Sequence, residues 1–380
     1  MEIPLSRPEI TESDIEAVVA VLRTPHLSLG PKLPEFEAAF ARYIGVPHAV
    51  ALNSGTAGLH LGLLALGIGP GDEVIVPSFA FIAAANAIRH TGATPVFADI
   101  HPVTLNLTAD SIQRALTPQT RAILLVHTFG YPADLHSIGH LAHAHGLYLI
   151  EDACEAIGAE YHAQKIGTFG HFAVFSFYPN KPITTGEGGI VVTRHPALAR
   201  TLRALRNQGR LDTDGWLEHS LLGYNCRLSE LSCALGLSQL QKLDDILARR
   251  ATVAAYYFNA LPSFVTPPPK AIENGRLSWF TYVVRLPPSE RDQIAAALTA
   301  QGIGCRAYFP PIHRQPLYAD PARPPLPVTD QIAATTLALP FFNALTQNQV
   351  QQVCQALSAA HKADSPQTAT AEPPPSNNPQ

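Results

Sequence analysis

One lysine stands out for its setting. Residues 171–193 read HFAVFSFYPNKPITTGEGGIVVT, with Lys181 between the apolar run Phe172–Phe177 and the β-branched run Ile190–Thr193. Ser176 precedes it, Pro179–Asn180 form a turn signal, and Gly186, Gly188 and Gly189 follow. A desolvated lysine loses its proton readily, and the neutral amine condenses with an aldehyde to give a Schiff base. A surface lysine on a hairpin loop explains the stretch equally well.

Three further segments could contribute to the same chemistry. Asn53–Ser54–Gly55–Thr56–Ala57–Gly58 lies between an apolar run and a helical pattern opening at Leu59. Free N–H groups at a helix start, with small residues and a hydroxyl, suit a phosphate, although an ordinary Ser54 cap accounts for them too. Ser78–Phe79–Ala80–Phe81 offers an aromatic ring to cover a planar ligand, or simply core packing. Glu151–Asp152–Ala153–Cys154–Glu155 places acids after the apolar Leu147–Ile150, where an unpaired carboxylate is expensive. A protonated heterocycle, an arginine or a metal would each serve as partner. Taken together, a phosphate cradle, an aromatic cover, an acid, the Ser176 hydroxyl and a Schiff-base lysine are the parts that pyridoxal phosphate needs.

The elements around these residues alternate between strand and helix. Seven β-rich runs are predicted at Ala49–Leu52, Glu73–Val76, Thr94–Ala98, Ala122–Val126, Tyr148–Glu151, Phe172–Phe177 and Ile190–Thr193. Such alternation marks an α/β domain with a mostly parallel sheet. The link after Ser176 is too short for a right-handed crossover, so the last strand is expected to run antiparallel and the sheet to be mixed. Ser13 and Glu16 are read as a capping box for a first helix, and Gly45 as the end of a second. Residues 229–257 are read as one long helix. Beyond the prolines of 261–276, a strand at Thr281–Leu286, a helix at Gln293–Ala300, a strand at Cys305–Phe309, a proline-rich loop and a helix near Gln347–Ala359 make a small α+β unit. The division is therefore 1–260 for the cofactor-binding large domain, 261–362 for the small domain and 363–380 for a disordered tail.

Bulk properties narrow the function. The chain has 380 residues, 46% hydrophobic and 15% charged, with a formal net charge of −4. A polyanionic nucleic-acid partner is not expected. The five cysteines form no CxxC pair, and no run reads as a signal peptide or membrane span, so a cytoplasmic protein is expected. His140, His143 and His145 lack an accompanying carboxylate and are not read as a metal site. Gly67–Gly71 precedes a strand where a dinucleotide fingerprint must follow one.

From Ile3 to Leu357 the chain resembles the DegT/DnrJ/EryC1/StrS family, sugar aminotransferases of the fold-type I (aspartate-aminotransferase-like) pyridoxal-phosphate enzymes. The resemblance rests on PLSRPEI, NSGTAGL, GDEVIVPSFAF, GATPVFADI, LIEDACEAIGAEY, FSFYPNKPITTGEGG, LGYNCRLSEL and LPFFNALT, in that order. It implies Lys181 as the internal-aldimine lysine and Asp152 as partner of the pyridine nitrogen. Thr56, Ala57 and Ser176 then hold the phosphate, and Phe81 stacks on the ring. Asn225 matches an asparagine given to the neighbouring subunit's phosphate, which implies a homodimer with active sites at its interface. Glu155 occupies a position near the cofactor's phenolic oxygen, and a glutamate there resembles perosamine-synthase-like enzymes. His313 aligns with a histidine near the sugar-nucleotide site, with a solvated loop histidine as the alternative. The activity implied is transfer of an amino group from an amino acid, glutamate by expectation, to a keto-sugar nucleotide, with a 4-keto-6-deoxyhexose favoured. Amination of a cyclitol or other cyclic ketone, or a non-catalytic regulatory role, are the alternatives. Pro182 after the lysine and Cys226 in place of an aromatic depart from the family pattern without removing a reacting group.

Overall fold

The computed structural model describes residues 2–215 and 217–362. The tail expected from 363 onward lies outside the described residues. Two helices, α1 (Glu12–Leu22) and α2 (Lys32–Ile44), precede an alternating stretch: β1 (His48–Leu52), α3 (Gly55–Ala65), β2 (Glu73–Pro77), α4 (Ala83–His90), β3 (Thr94–Ala98), α5 (Ala109–Ala115), β4 (Thr120–Val126), α6 (Leu135–Ala144) and β5 (Tyr148–Asp152). A short hairpin, β6 (Glu160–Tyr161) and β7 (Gln164–Lys165), leads to β8 (Phe172–Ser176), β9 (Gly189–Thr193) and α7 (Pro196–Arg206).

All seven predicted strands join one sheet, in the order β1-β9-β8-β5-β4-β2-β3. Only β9 is reversed: it pairs antiparallel with both β1 and β8, while the remaining pairs are parallel. Side chains alternate between the two faces, as the period of two in a strand requires. Ala49 and Ala51 enter one core with Phe36, Phe40 and Ile246, whereas Val50 and Leu52 enter the other with Leu59, Leu61 and Ala84. Burial on both faces explains why these strands read as apolar runs.

The C-terminal part begins with α8 (Glu230–Gln241) and α9 (Leu243–Ala260), then β10 (Gly275–Arg276), β11 (Tyr282–Arg285), α10 (Arg291–Ala300), α11 (Pro327–Thr335), β12 (Thr336–Leu339) and α12 (Gln347–Lys362). The antiparallel pair β11–β12 shares a core with α10, α12 and the second half of α9, through Val284, Leu298, Val353 and Tyr257. The first residues reach this core too: Ile3 N–H donates to Gly302 O at 2.9 Å and Phe341 N–H to Leu5 O at 2.8 Å. Arg250 on α9 ties the parts together, donating to the Trp279 and Phe280 carbonyls and to Asn343 Oδ1.

Four local expectations are corrected. The long helix over 229–257 is two helices meeting at Lys242, whose φ of −101° and ψ of 0° leave helical geometry. Cys305–Phe309 forms no strand and makes a single bridge, Arg306 to Ala338. The loop expected after it contains α11 and β12, the latter completing the small sheet. Finally, α1 is capped by Thr11 with Asp14, not by Ser13 with Glu16: Thr11 N–H donates to Asp14 Oδ2 at 2.8 Å.

Asp14 does more than cap. Its buried carboxylate accepts from Ser238 Oγ at 2.6 Å, Gln239 Nε2 at 2.9 Å and Lys242 Nζ at 2.6 Å, joining α1 to α8. Burial acts to raise its pKa, but the bonds from Lys242, Ser238 and Thr11 outweigh it and bring the value to about 2. A depressed carboxyl contributes stability above its unfolded pKa and loses it as pH falls toward the folded one. Asp14→Asn is therefore expected to lower stability by about 3 kcal/mol at neutral pH and to flatten the loss between about pH 4 and 2. Urea melts across that range measure both. Among the described residues, no helix is long and apolar enough to cross a membrane.

Candidate active site

Strand ends converge on a cavity of about 610 Å³, closed from the C-terminal side by Phe280 and residues 306–310. At the end of β1, Ser54 caps α3, its Oγ accepting from Ala57 N–H at 3.1 Å. Ser54, Gly55 and Thr56 line the cavity, and Ser176 at the end of β8 faces the same space. This turn tolerates no bulk. A Cβ on Gly55 would sit 3.1 Å from Ser176 Cβ, and one on Gly189 would come within 2.5 Å of the Ser54 carbonyl carbon and Gly55 nitrogen. The three glycines after Lys181 thus differ in role. Gly186 turns the chain with φ +80°, Gly188 lines the cavity, and Gly189 lets β9 press against the cradle. Because the obstacle at Gly189 is backbone, Gly189→Ala is expected to cost about 2 kcal/mol and to weaken inorganic-phosphate binding together with stability. Thermal melts with and without phosphate test this; an unshifted melting temperature would contradict the crowding.

Beyond β2, the two phenylalanines separate. Phe79 is fully buried in the core, but Phe81 is 63% exposed and lines the cavity. Packing therefore explains the first ring and not the second.

The two acids that end β5 also separate, since neighbours point to opposite faces. Glu151 is already satisfied. It accepts from the N–H groups of Gly167 at 2.9 Å, Phe169 at 2.9 Å and Gly170 at 2.7 Å, and lies 3.2 Å from His127 Nε2. Ala133 N–H donates to His127 Nδ1, so the ring proton is assigned to Nε2 and donates to Glu151. Asp152 faces the cavity instead. Its Oδ1 accepts from Cys154 N–H at 3.1 Å, and among the described residues it has no ion-pair partner. Burial pushes its carboxyl above the ordinary value, against the smaller opposing effects of Cys154 and Lys181.

Lys181 enters from the turn after β8, where its N–H donates to Tyr178 O at 2.9 Å. The side chain is 11% exposed; Nζ lies 3.8 Å from Glu155 Oε1 and 3.9 Å from the centre of the Phe280 ring. Glu155 is held in turn by Phe129 N–H, 2.8 Å from Oε2. Burial raises the Glu155 pKa, and the Lys181 charge works against that.

Thr56, Phe81, Asp152, Glu155, Ser176 and Lys181 are thus brought together. Ala57 does not line the cavity, and its N–H is spent on the Ser54 cap. Asn225 is exposed and does not line this subunit's cavity, although the next residue, Cys226, accepts from Asn53 N–H at 3.0 Å. His313 lies outside the lining as well: Nδ1 is 2.7 Å from Ser78 Oγ and Nε2 3.2 Å from Asp330 Oδ1. Sequence reasoning missed Phe280, Arg306, Tyr308 and Glu187 as lining residues. Arg306 carried no periodic signal, while Glu187 stood in plain view between the glycines.

These residues fit pyridoxal phosphate. The buried Asp152 carboxylate without an ion-pair partner matches a protonated ring nitrogen, the exposed Phe81 a ring face, and the cradle at Ser54–Thr56 a phosphate. The fold and the cavity define a fold-type I aminotransferase, a class that works with this cofactor. The chain belongs to the DegT/DnrJ/EryC1/StrS aminotransferase family, whose sequence pattern matches residues 8–358.

Among curated relatives, the GDP-perosamine synthase of Caulobacter vibrioides is 41% identical over 362 residues, covering 93% of this chain and 97% of its own. The solved aminotransferase TlmJ from Streptoalloteichus hindustanus superposes with a TM-score of 0.90 at 34% identity, covering 95% of this chain and 99% of its own. Spr1654 from Streptococcus pneumoniae, solved in its PLP form, gives a TM-score of 0.90 at 28% identity, with 96% of this chain and 99% of its own covered.

Proposed function

We propose that this aminotransferase carries an amino group from glutamate to carbon 4 of a GDP-linked 4-keto-6-deoxyhexose. The observation that carries the reading is the pairing of Lys181 with Glu155, 3.8 Å apart, beside an Asp152 that lacks a cation. Similarity to GDP-perosamine synthases supports the choice of sugar and nucleotide.

Pyridoxal phosphate, when bound, supplies an aldehyde to take up the amino group and a ring into which negative charge delocalises. The N–H groups at the start of α3, the Thr56 side chain and the Ser176 hydroxyl hold its phosphate. Phe81 covers the ring, and Asp152 keeps a proton on the ring nitrogen by pairing with it. Lys181 secures the cofactor through its amine. Once free, that amine would take the proton from the amino-bearing carbon of the donor and, in the second half-reaction, deliver one to the sugar carbon that receives the amine. Glu155, 3.8 Å away, steadies the ammonium at that moment. Arg306 at the mouth receives anionic substrate groups, since it lines the cavity and has no ion-pair partner among the described residues.

Asn225 in this proposal serves the cavity of a second copy. The same loop carries Leu217 and Leu222, 81% and 89% exposed, which a partner subunit would cover. The five free cysteines fit a reducing, cytoplasmic setting.

A panel of nucleotide-linked 3-keto and 4-keto sugars, with glutamate and alternative donors, tests the assignment. GDP-linked 4-keto-6-deoxymannose is expected to be the best acceptor, with NMR placing the new amine on carbon 4. Preference for a 3-keto sugar or for a cyclitol would overturn it.

A further inference from the structure

Asn180 precedes Lys181 and lines the same cavity. Its side-chain Oδ1 is buried and accepts no hydrogen bond among the described residues. Buried amide oxygens are nearly always paired, and an unmet one costs about 1–3 kcal/mol. The immediate neighbours offer no relief. Pro179 and Pro182 carry no N–H, and the Lys181 N–H is taken by the Tyr178 carbonyl. On the residue next to Lys181 in sequence and in the wall of the same cavity, such an acceptor would be satisfied by a donor that enters there.

The two substrates differ in what they bring. Glutamate presents two carboxylates, which only accept, and one amino group, which is consumed in the reaction. A keto-hexose presents ring hydroxyls, which donate. We infer that the Asn180 amide receives a hydroxyl of the sugar next to the carbon being aminated, so that it reads the acceptor and not the amino donor. The inference rests on the proposed sugar substrate. It complements Arg306, which takes negative charge and cannot distinguish sugars. A site built to bond a hydroxyl discriminates strongly against analogues lacking it, because its own polar group is then left unpaired.

The holoenzyme can be tested in its two half-reactions. Asn180→Leu keeps the volume and removes the amide, while Asn180→Asp keeps an acceptor. In Asn180→Leu, kcat/KM for the nucleotide keto-sugar is expected to fall by about 100-fold, with the glutamate half-reaction, followed by cofactor absorbance, within about twofold of wild type. Asn180→Asp is expected to retain at least about a tenth of wild-type kcat/KM, since the acceptor survives. The Kd of the aminated sugar nucleotide, measured by calorimetry, is expected to rise at least about tenfold in Asn180→Leu without a fall in melting temperature. Equal loss in both half-reactions, or an unchanged sugar kcat/KM, would overturn the inference. Should wild type prefer another sugar of the panel, the proposed acceptor falls, and the variants are compared on the preferred sugar.

Discussion

Lys181→Ala is expected to abolish turnover, with kcat reduced by about 10⁴-fold or more, because the variant loses both the attachment amine and the group that moves the substrate proton. The protein should remain folded. Lys181 donates its backbone N–H to Tyr178, and among the described residues its side chain makes no hydrogen bond and only one ion pair, the 3.8 Å contact with Glu155. Borohydride treatment followed by peptide mass analysis gives a readout independent of activity. In wild type, the mass of the cofactor should stay on the peptide containing residue 181; in the variant it should not. A labelled peptide elsewhere in the chain would refute the assignment. Glu155 left without its cation is expected to titrate higher still, since burial already raises it and Lys181 is its main opponent.

Asp152→Asn is the second large effect. The change is nearly isosteric and keeps an acceptor for the Cys154 N–H, so the melting temperature is expected to move by only a few degrees, at about 1 kcal/mol. What disappears is negative charge in a buried place. Burial lifts the Asp152 pKa, so this carboxyl ionises less readily than an exposed one. A protonated ring nitrogen beside it reverses that balance, because an adjacent positive charge favours the carboxylate. Without it, kcat is expected to fall by about 10³-fold while the cofactor still binds. Stopped-flow traces of the glutamate half-reaction separate the two effects; a variant with a wild-type half-reaction rate would exclude Asp152 as the nitrogen's partner.

Much of this was legible in the chain itself. The seven strands were readable because both faces of the sheet are buried, leaving apolar runs such as Ile123–Val126 between turn signals. The reversal of β9 followed from the length of a loop. Elsewhere the signals were local and misled. Lys242 breaks a helix without proline or glycine, and its reason is tertiary: its amine is held by Thr11 and Asp14. β12 was hidden because its four residues, Thr336–Leu339, follow directly on a helix with no turn residue between. In the site, strand ends identified Thr56, Asp152 and Ser176, but neighbouring acids could not be told apart until the structure showed Glu151 enclosed by backbone N–H groups. Phe280 and Arg306 come from about 100 residues or more beyond Lys181, and no periodicity in one segment announces which distant cavity it will close.

The solitary reversed strand also governs the order in which the molecule can be assembled. β1 lies at the sheet's edge, and among the described residues β9 is its only neighbouring strand, with His48 opposite Thr193. During synthesis, the first strand therefore emerges about 140 residues ahead of the strand that seats it, whereas β2, β3, β4 and β5 meet their neighbours sooner. The Ser54 turn hangs from β1. Phosphate recognition thus waits until β9 has been made, and a ribosome-bound chain stopped before residue 189 should lack it although six of the seven strands of the sheet have already been synthesised.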